Sequence, residues 1–238
     1  MVSTRTETVP TESGSFAGHV ALPPSGSGPG LLVLQEIFGV NTYIRSVCER
    51  VAEMGYVALA PDMFWRQEPG FVVEPDQGEE GMQSAFAKMG GFDWGAGAAD
   101  LAAAFDHLQG LPECTGPAGV MGFCFGGTLT FHAAADLDPA CAVSYYGSGV
   151  ADALDAKADA VTCPILFHFG DDDPFLPYEN VERVAARFEN APNVTVEVQA
   201  GAGHAFDNNV NPMFSNPTAA ANAWSITAEH LARHLPVG

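Results

Sequence analysis

Short apolar runs alternate with segments of helical spacing along the chain, and this alternation constrains the fold more than any other feature. The runs are nearly continuous in hydrophobic residues, as are strands buried on both faces of a parallel sheet. They occupy residues 30–34, 56–60, 119–121, 141–146, 164–169 and 194–198. The segments with helical spacing occupy residues 43–54, 98–108, 127–135, 179–188 and 218–235. Repeated strand and helix predict an α/β fold, with a mostly parallel central sheet and helices on both faces.

The size and order of these segments predict one domain. The chain has 238 residues, of which 47% are hydrophobic, and this is enough for the core of one large α/β domain. A further run at residues 16–22 is expected to form an antiparallel edge strand. Residues 64–94 are interrupted by glycine and proline, and an irregular segment of that length usually shapes or covers a binding site. We therefore expect a single domain over residues 1–238, with an irregular insertion at about 64–94.

The chain is strongly acidic. Aspartate and glutamate number 29 against 9 lysines and arginines, which gives a formal net charge of −20. A field of this sign repels nucleic acids and anionic membranes, so neither is an expected partner. No apolar run is long enough to span a membrane, and the polar N-terminus lacks the apolar core of a signal peptide. We expect a cytoplasmic protein, a monomer, that acts on a small molecule.

Cysteine and histidine usage gives no sign of a metal or a cofactor. The five cysteines form an odd set without a C-x-x-C pair, which is typical of reduced thiols in the cytosol. The seven histidines are scattered, and none repeats at the spacing of metal ligands. Neither a metal nor a cofactor is therefore expected.

One cysteine stands in a pattern that favours covalent chemistry. Gly122, Cys124 and Gly126 form G-x-C-x-G between the strand expected at 119–121 and the helix expected from 127. In a nucleophile elbow the reactive side chain sits on a sharp turn from strand to helix, and small flanking residues let the turn close. The unpaired N–H groups and the dipole of the helix N-terminus would favour an anion at this position. On this motif alone, a reactive thiol and a buried structural cysteine are equally good interpretations.

A reactive thiol needs a base, and the base needs an acid that orients it; both are expected on turns after later strands. The strand at 164–169 is followed by the acidic turn Asp171, Asp172 and Asp173. The strand at 194–198 is followed by His204 in a glycine-rich loop, for which the alternative is a solvated loop histidine. His168 lies inside an apolar strand and is interpreted as a core histidine whose side chain has partners.

The sequence resembles the dienelactone hydrolases in the order of its nucleophile, acid and base and in several further segments. These carboxymethylenebutenolidase-like enzymes are the cysteine-using branch of the α/β-hydrolase fold. The matching segments are residues 35–41, Pro61 and Asp62, Arg66 and Gln67, Pro69 and Gly70, residues 122–127, residues 145–147, the acidic turn, and Gly203 and His204. The resemblance covers roughly residues 30–206, and it implies an α/β-hydrolase fold and the hydrolysis of an ester or lactone.

The resemblance also implies a role for each residue of the triad. Cys124 takes the position of the nucleophile and His204 that of the base. Asp173 takes the position of the acid, because residues 170–177 match the family spacing G-x-x-D-x-x-[VL]-P. The two preceding aspartates are interpreted as turn-forming and solvated.

Three more positions match the family's catalytic machinery. Glu36 corresponds to a buried carboxylate that takes the proton of the resting thiol when substrate arrives. The alternative is an ordinary acidic residue at a strand end, although burying a carboxylate without a task is costly. The backbone N–H groups of Ile37 and Phe125 correspond to the oxyanion hole, whose donors must face the developing negative charge.

The residues expected to bind substrate depart from the family. The resemblance implies two arginines that hold a substrate carboxylate, one in the insertion and one two residues beyond the phenylalanine of the histidine loop. The second position is Asn208 here, and residues 71–94 contain no arginine, only Lys88. Phe86 and Met89 stand at the positions of the aromatic pair that the resemblance implies in the insertion. The candidate substrate-binding residues are Phe38, Phe86, Met89, Phe206 and Asn208.

These features predict a hydrolase that cleaves an activated ester or lactone, such as a dienelactone-like enol lactone, through a cysteine acyl-enzyme. The alternative is a broad-specificity carboxylesterase or thioesterase that acts on neutral substrates with the same triad. A scaffold used only for binding would be expected to lack at least one catalytic group, and all are present. A redox-sensing thiol would need a second cysteine close by, and none lies within nine residues of Cys124.

Overall fold

The computed structural model describes all residues from 1 to 238. The strands are β1 (Ser3–Thr11), β2 (Gly14–Leu22), β3 (Gly28–Leu34), β4 (Val57–Pro61), β5 (Cys114–Phe123), β6 (Ala142–Tyr145), β7 (Ile165–Gly170) and β8 (Val194–Gln199). The α-helices are α1 (Thr42–Glu53), α2 (Gly78–Gly90), α3 (Trp94–Gly110), α4 (Phe125–Asp136), α5 (Val150–Lys157), α6 (Tyr178–Arg187) and α7 (Pro217–His234). The eight strands form one mostly parallel sheet, so the predicted fold class is confirmed.

Contacts divide the chain into two compact units. The first comprises Met1–Gly119 with Val237–Gly238, and the second comprises Val120–Pro236. The expectation of a single domain stays a prediction.

The first unit holds the strand order β1-β2-β4-β3. β1 is antiparallel to β2, β2 is antiparallel to β4, and β3 is parallel to β4. Every residue of β3 and β4 is buried, as expected for strands with apolar residues on both faces. The polar strand β1 pairs along the whole of β2, so β2 is not the edge strand that its sequence predicted.

The second unit holds residues 120–123 of β5 and then β6, β7 and β8 in that order, and all these pairs are parallel. Its core includes the rings of Phe131 on α4, Phe167 on β7 and Phe188 after α6, whose centroids lie 5.9–6.3 Å apart. Burying each such side chain contributes about 1.5–3 kcal/mol relative to exposure. β8 ends this order and is only partly buried, so the expectation of a strand buried on both faces is wrong there.

Buried carboxylates organise the insertion in the first unit. Asp62 accepts the backbone N–H groups of Phe64 at 3.0 Å and Gly70 at 2.7 Å. Asp100 on α3 accepts from the indole of Trp65 at 2.8 Å and from Arg66 Nε at 2.7 Å. These bonds hold the irregular chain after β4 in place. The insertion also contains α2, which its glycines and prolines did not predict.

None of the helices is both long enough and apolar enough to cross a membrane.

Candidate active site

Cys124 lies on the sharp turn between β5 and α4. Its backbone adopts φ 55° and ψ −115°, a conformation that side-chain-bearing residues rarely take. The turn is fixed on both sides, because the N–H of Cys124 donates to the carbonyl of Tyr145 at 3.0 Å and the N–H of Thr128 donates to the carbonyl of Cys124 at 3.1 Å. The thiol is only partly buried and does not cap α4.

Glycines make this turn possible. A Cβ on Gly122 would lie 2.6 Å from Thr130 Oγ1 and closer still to the carbonyl oxygen of Gly126. A Cβ on Gly127 would lie 3.0 Å from Gly147 Cα. Separations of this kind are too short for real methyl contacts. Gly122 thus allows α4 to start directly against β5, and Gly127 allows the helix to lie close to the end of β6.

Asp173 follows β7 and uses both of its carboxylate oxygens. Oδ2 lies 2.7 Å from His204 Nδ1, while Oδ1 accepts the backbone N–H groups of Phe175 at 2.8 Å and Leu176 at 3.1 Å. Asp171, by contrast, is exposed and accepts the N–H of the glycine at position 201 at 2.6 Å. Of the three aspartates in the acidic turn, the one selected by the family spacing is thus the one that binds His204.

His204 is buried, and its charge depends on its neighbours. Burial alone would lower the pKa of His204. The negative charge of Cys124, the hydrogen bonds to Asp173 and to Cys124, and the charge of Asp173 outweigh burial and raise the pKa from 6.5 to about 10. While Cys124 is a thiolate, the imidazole is therefore protonated at neutral pH. The next residue, Ala205, has φ 56°, so the loop is tightly turned where it presents the ring.

Thiol, imidazole and carboxylate thus form a hydrogen-bonded series within the second unit. His204 binds Asp173 through Nδ1 and has a side-chain hydrogen bond with Cys124. The carboxylate fixes the orientation of the imidazole, and the imidazole can exchange a proton next to the sulfur. This arrangement suits attack of a thiolate on a carbonyl group. Phe125, whose N–H is expected to face the oxyanion, is the first residue of α4.

Glu36, Ile37 and Phe38 lie in the first unit, directly after β3. Glu36 is 1% exposed, so the expected burial of this carboxylate is confirmed. Ile37 and Phe38 are buried as well. The neighbouring Gln35 accepts the N–H of Met63 at 3.1 Å, which holds this segment to the chain after β4. Their roles in catalysis and binding stay predictions.

The other candidate substrate residues differ in exposure. Phe86 and Met89 lie on α2, where Phe86 is 40% exposed and Met89 is half-buried. Phe206 is completely buried, and its ring centroid lies 5.2 Å from that of Tyr146. Asn208 is also buried, and its Oδ1 accepts the N–H groups of residues 210 and 211 at 3.2 and 3.1 Å. The Asn208 side chain thus stabilises its own turn.

Two aromatic rings flank His204, and neither was among the candidates. The centroids of Tyr146 and Phe175 each lie 5.3 Å from the imidazole centroid. Phe175 stands two residues after Asp173 in the acidic turn, so its position in the sequence was a usable signal. Asp207 was also missed, and its carboxylate is 1% exposed.

His168 is a core histidine, as predicted. It is fully buried, with Nε2 3.1 Å from Thr227 Oγ1 and Nδ1 3.3 Å from Gln199 Nε2. Burial, and then the charge of His230, lower its pKa to about 3. His168 is therefore neutral at physiological pH.

The family model of the dienelactone hydrolases matches residues 16–235. This chain belongs to the dienelactone hydrolase family. A relative in that family, the carboxymethylenebutenolidase of a Pseudomonas species, is 36% identical over 225 residues, which cover 94% of this chain and 93% of the relative. As a dienelactone hydrolase family member, the chain is a carboxylic ester hydrolase.

Solved structures of the dienelactone hydrolase type show the same α/β-hydrolase fold. Dienelactone hydrolase from Anabaena variabilis has a TM-score of 0.70 at 19% identity, covering 98% of this chain and 99% of that one. A dienelactone hydrolase-like promiscuous phosphotriesterase from metagenomic libraries has a TM-score of 0.78 at 22% identity, covering 100% of this chain and 99% of that one.

Proposed function

We propose that this dienelactone hydrolase family member cleaves an activated ester or lactone through a thioester on Cys124. One observation carries the proposal: His204 is hydrogen-bonded both to Cys124 and, at 2.7 Å, to the buried Asp173. The thiol stands on a strained turn at the start of α4, where a nucleophile is presented outward. The carboxymethylenebutenolidase relative supports the same class of reaction.

Acylation uses two proton transfers. Glu36 takes the proton of the thiol, and the thiolate of Cys124 attacks the carbonyl carbon, forming the C–S bond and moving the C=O electron pair onto oxygen. The backbone N–H groups of Ile37 and Phe125 hold that oxyanion. When the electron pair returns, the C–O bond to the leaving group breaks. The protonated His204, whose pKa is raised to about 10, donates its proton to the leaving oxygen.

Deacylation reverses these roles. The now neutral His204, oriented by Asp173, takes a proton from water, and the hydroxide attacks the thioester. Collapse of the second intermediate expels the thiolate of Cys124, which recovers its proton from Glu36. The net reaction adds one water and releases the acid and the alcohol.

The nucleophile limits the substrates. A thiolate is itself a good leaving group, so the first intermediate returns to substrate unless the other leaving group departs comparably well. Enol lactones, aryl esters and thioesters meet this condition, whereas simple alkyl esters and amides do not. The proposal therefore names activated esters and lactones.

Two observations favour the second candidate, a carboxylesterase or thioesterase for neutral substrates. Asn208 stands where the family resemblance implies an arginine, and its side-chain oxygen is occupied by backbone N–H groups. Lys88, the only cation in residues 71–94, lies 2.7 Å from the carboxylate of Glu68. These groups would contribute little to the binding of an anionic dienelactone.

A substrate panel tests both candidates. Hydrolysis of a dienelactone, of aryl acetates and of acyl thioesters is measured for wild type and for Cys124→Ala. Cys114→Ala, whose thiol is also only partly buried, is the matched control. We expect Cys124→Ala to reduce kcat by at least about a thousandfold and Cys114→Ala to retain activity. Activity in Cys124→Ala would refute the thioester mechanism. Rapid aryl-ester turnover beside negligible dienelactone turnover would select the second candidate.

A further inference from the structure

A half-exposed aromatic ring stands beside the proposed base. The ring of Phe175 packs edge-on against the imidazole of His204, with centroids 5.3 Å apart and planes 67° to one another. Phe175 is nevertheless 51% exposed, while Asp173 and Leu176 in the same turn are buried. The turn therefore directs one large apolar side chain outward next to the triad.

The carboxylate that orients His204 also fixes Phe175. Asp173 Oδ1 accepts the N–H of Phe175 at 2.8 Å, and Oδ2 binds His204. The following Leu176 packs into the apolar core of the second unit. The backbone of Phe175 and the imidazole are thus held by the same carboxylate, and the ring packs against that imidazole.

The chemistry of His204 determines which part of a substrate meets this ring. In the proposed reaction His204 donates a proton to the leaving oxygen, which must come within about 2.6–3.2 Å of the imidazole nitrogen. The group attached to that oxygen then extends from the imidazole, and the ring of Phe175 is in contact with that imidazole. Phe175 is thus positioned for the leaving group and not for the acyl chain.

We propose that Phe175 determines specificity by packing against an uncharged aromatic leaving group of the ester substrate. The inference rests on the proposed function and names the substrate class of that same site. An aromatic leaving group buries the exposed part of the ring, and aromatic pairs prefer the tilted or offset contacts available there. A carboxylate on that group would meet the exposed Asp171 and Asp172 of the same turn, so an uncharged group is preferred.

The test uses two acetates with leaving groups of similar acidity. Phenyl acetate has an aromatic leaving group, and hexafluoroisopropyl acetate has an aliphatic one. We expect Phe175→Ala to reduce kcat/KM for phenyl acetate about tenfold relative to hexafluoroisopropyl acetate, mainly through KM, because the lost contact is made in both ground state and transition state. Phe175→Tyr should restore the preference. Tyr178→Ala, which removes an exposed ring without contact to His204, should leave the ratio unchanged.

Each outcome decides the matter. A ratio that Phe175→Ala leaves within twofold of wild type overturns the inference. So does an equal loss for both acetates with a shifted pH profile, since the ring would then act through His204 and not through the substrate. If wild type hydrolyses neither acetate, the inference fails, and the proposed function fails with it only if the dienelactone and the thioesters of the panel are not hydrolysed either. If wild type hydrolyses both acetates, only the inference is at stake.

Discussion

The charge of His204 depends on two neighbouring residues, Cys124 and Asp173. Its pKa of about 10 lies above the 6.5 of an ordinary histidine, because Cys124 and Asp173 outweigh its burial. The folded state binds this proton more tightly than the unfolded chain. The resulting stabilisation is complete below pH 6.5, the unfolded value, and is lost as the pH rises through about 10.

Removing the sulfur of Cys124 should lower the pKa of His204. In Cys124→Ala, the pKa of His204 is expected to fall well below 10, because the charge of Cys124 and its hydrogen bond both raise it. Titration of the imidazole by NMR measures this directly. His168, with a pKa of about 3 set by burial and His230, serves as the internal control and should not move. An unchanged His204 would mean that Asp173 alone holds the proton.

The positions of the candidate site residues were predictable where chain order and spacing determine them. The strand, turn and helix around Cys124 identified the elbow, and the family spacing selected Asp173 from three aspartates. The rings of Tyr146 and Phe175 were not identified, because their contacts with His204 join chain segments that follow different strands. No local pattern indicates the contact of Tyr146, whereas the position of Phe175, two residues after Asp173, was a usable signal.

At the scale of elements, the predicted strands and helices overlap the observed ones, because each carries a continuous or periodic apolar pattern. Three elements were not predicted. β1 is polar and largely exposed, α2 buries only Gly81 and Ala85, and α5 is short. β1 and α2 present no apolar stripe that would distinguish them from a loop, and α5 is too short for its apolar spacing to predict a helix.

A buried polar network joins α7 to the strands of the second unit. Thr227 Oγ1 lies 2.7 Å from the hydroxyl of Tyr145 and 3.1 Å from His168 Nε2. Gln199 bonds His168 and also accepts from Asn222 on α7 at 2.7 Å. A network of this kind holds a helix in one register only while every member is paired.

Thr227→Val should therefore destabilise the protein by about 1–3 kcal/mol, because it preserves volume but leaves two buried groups without their shared partner. Urea unfolding measures the change. Thr218→Val, an exposed threonine in the first turn of the same helix, is the matched control and should change stability by less than about 0.5 kcal/mol. Equal effects of the two substitutions would show that the network does not contribute.

At the scale of the whole molecule, the excess of acidic side chains opposes folding. A net charge of −20 on 238 residues produces mutual repulsion that compaction increases. Salt screens this repulsion, since the Debye length falls from about 30 Å at 0.01 M to about 8 Å at 0.15 M.

Potassium chloride should consequently raise Tm at pH 7 by several °C, with most of the rise complete by about 0.15 M, because each 1 kcal/mol corresponds to about 2–4 °C in a protein of this size. Calorimetry across the salt series measures it. The control is the same series near pH 4.4, the isoelectric point, where Tm should change little. A Tm at pH 7 that falls with salt would mean that attractive ion pairs outweigh the repulsion.

A single substitution at the elbow can remove the activity of the protein and relieve backbone strain at the same time. A side chain at φ 55° and ψ −115° carries backbone strain of about 1–3 kcal/mol, which glycine does not. Cysteine codons become glycine codons by a single-base change, and Cys124→Gly should melt at a higher temperature than Cys124→Ala. In a lineage no longer selected for hydrolysis, glycine is therefore the expected replacement at position 124. The glycine protein would be inactive but more stable than its alanine counterpart.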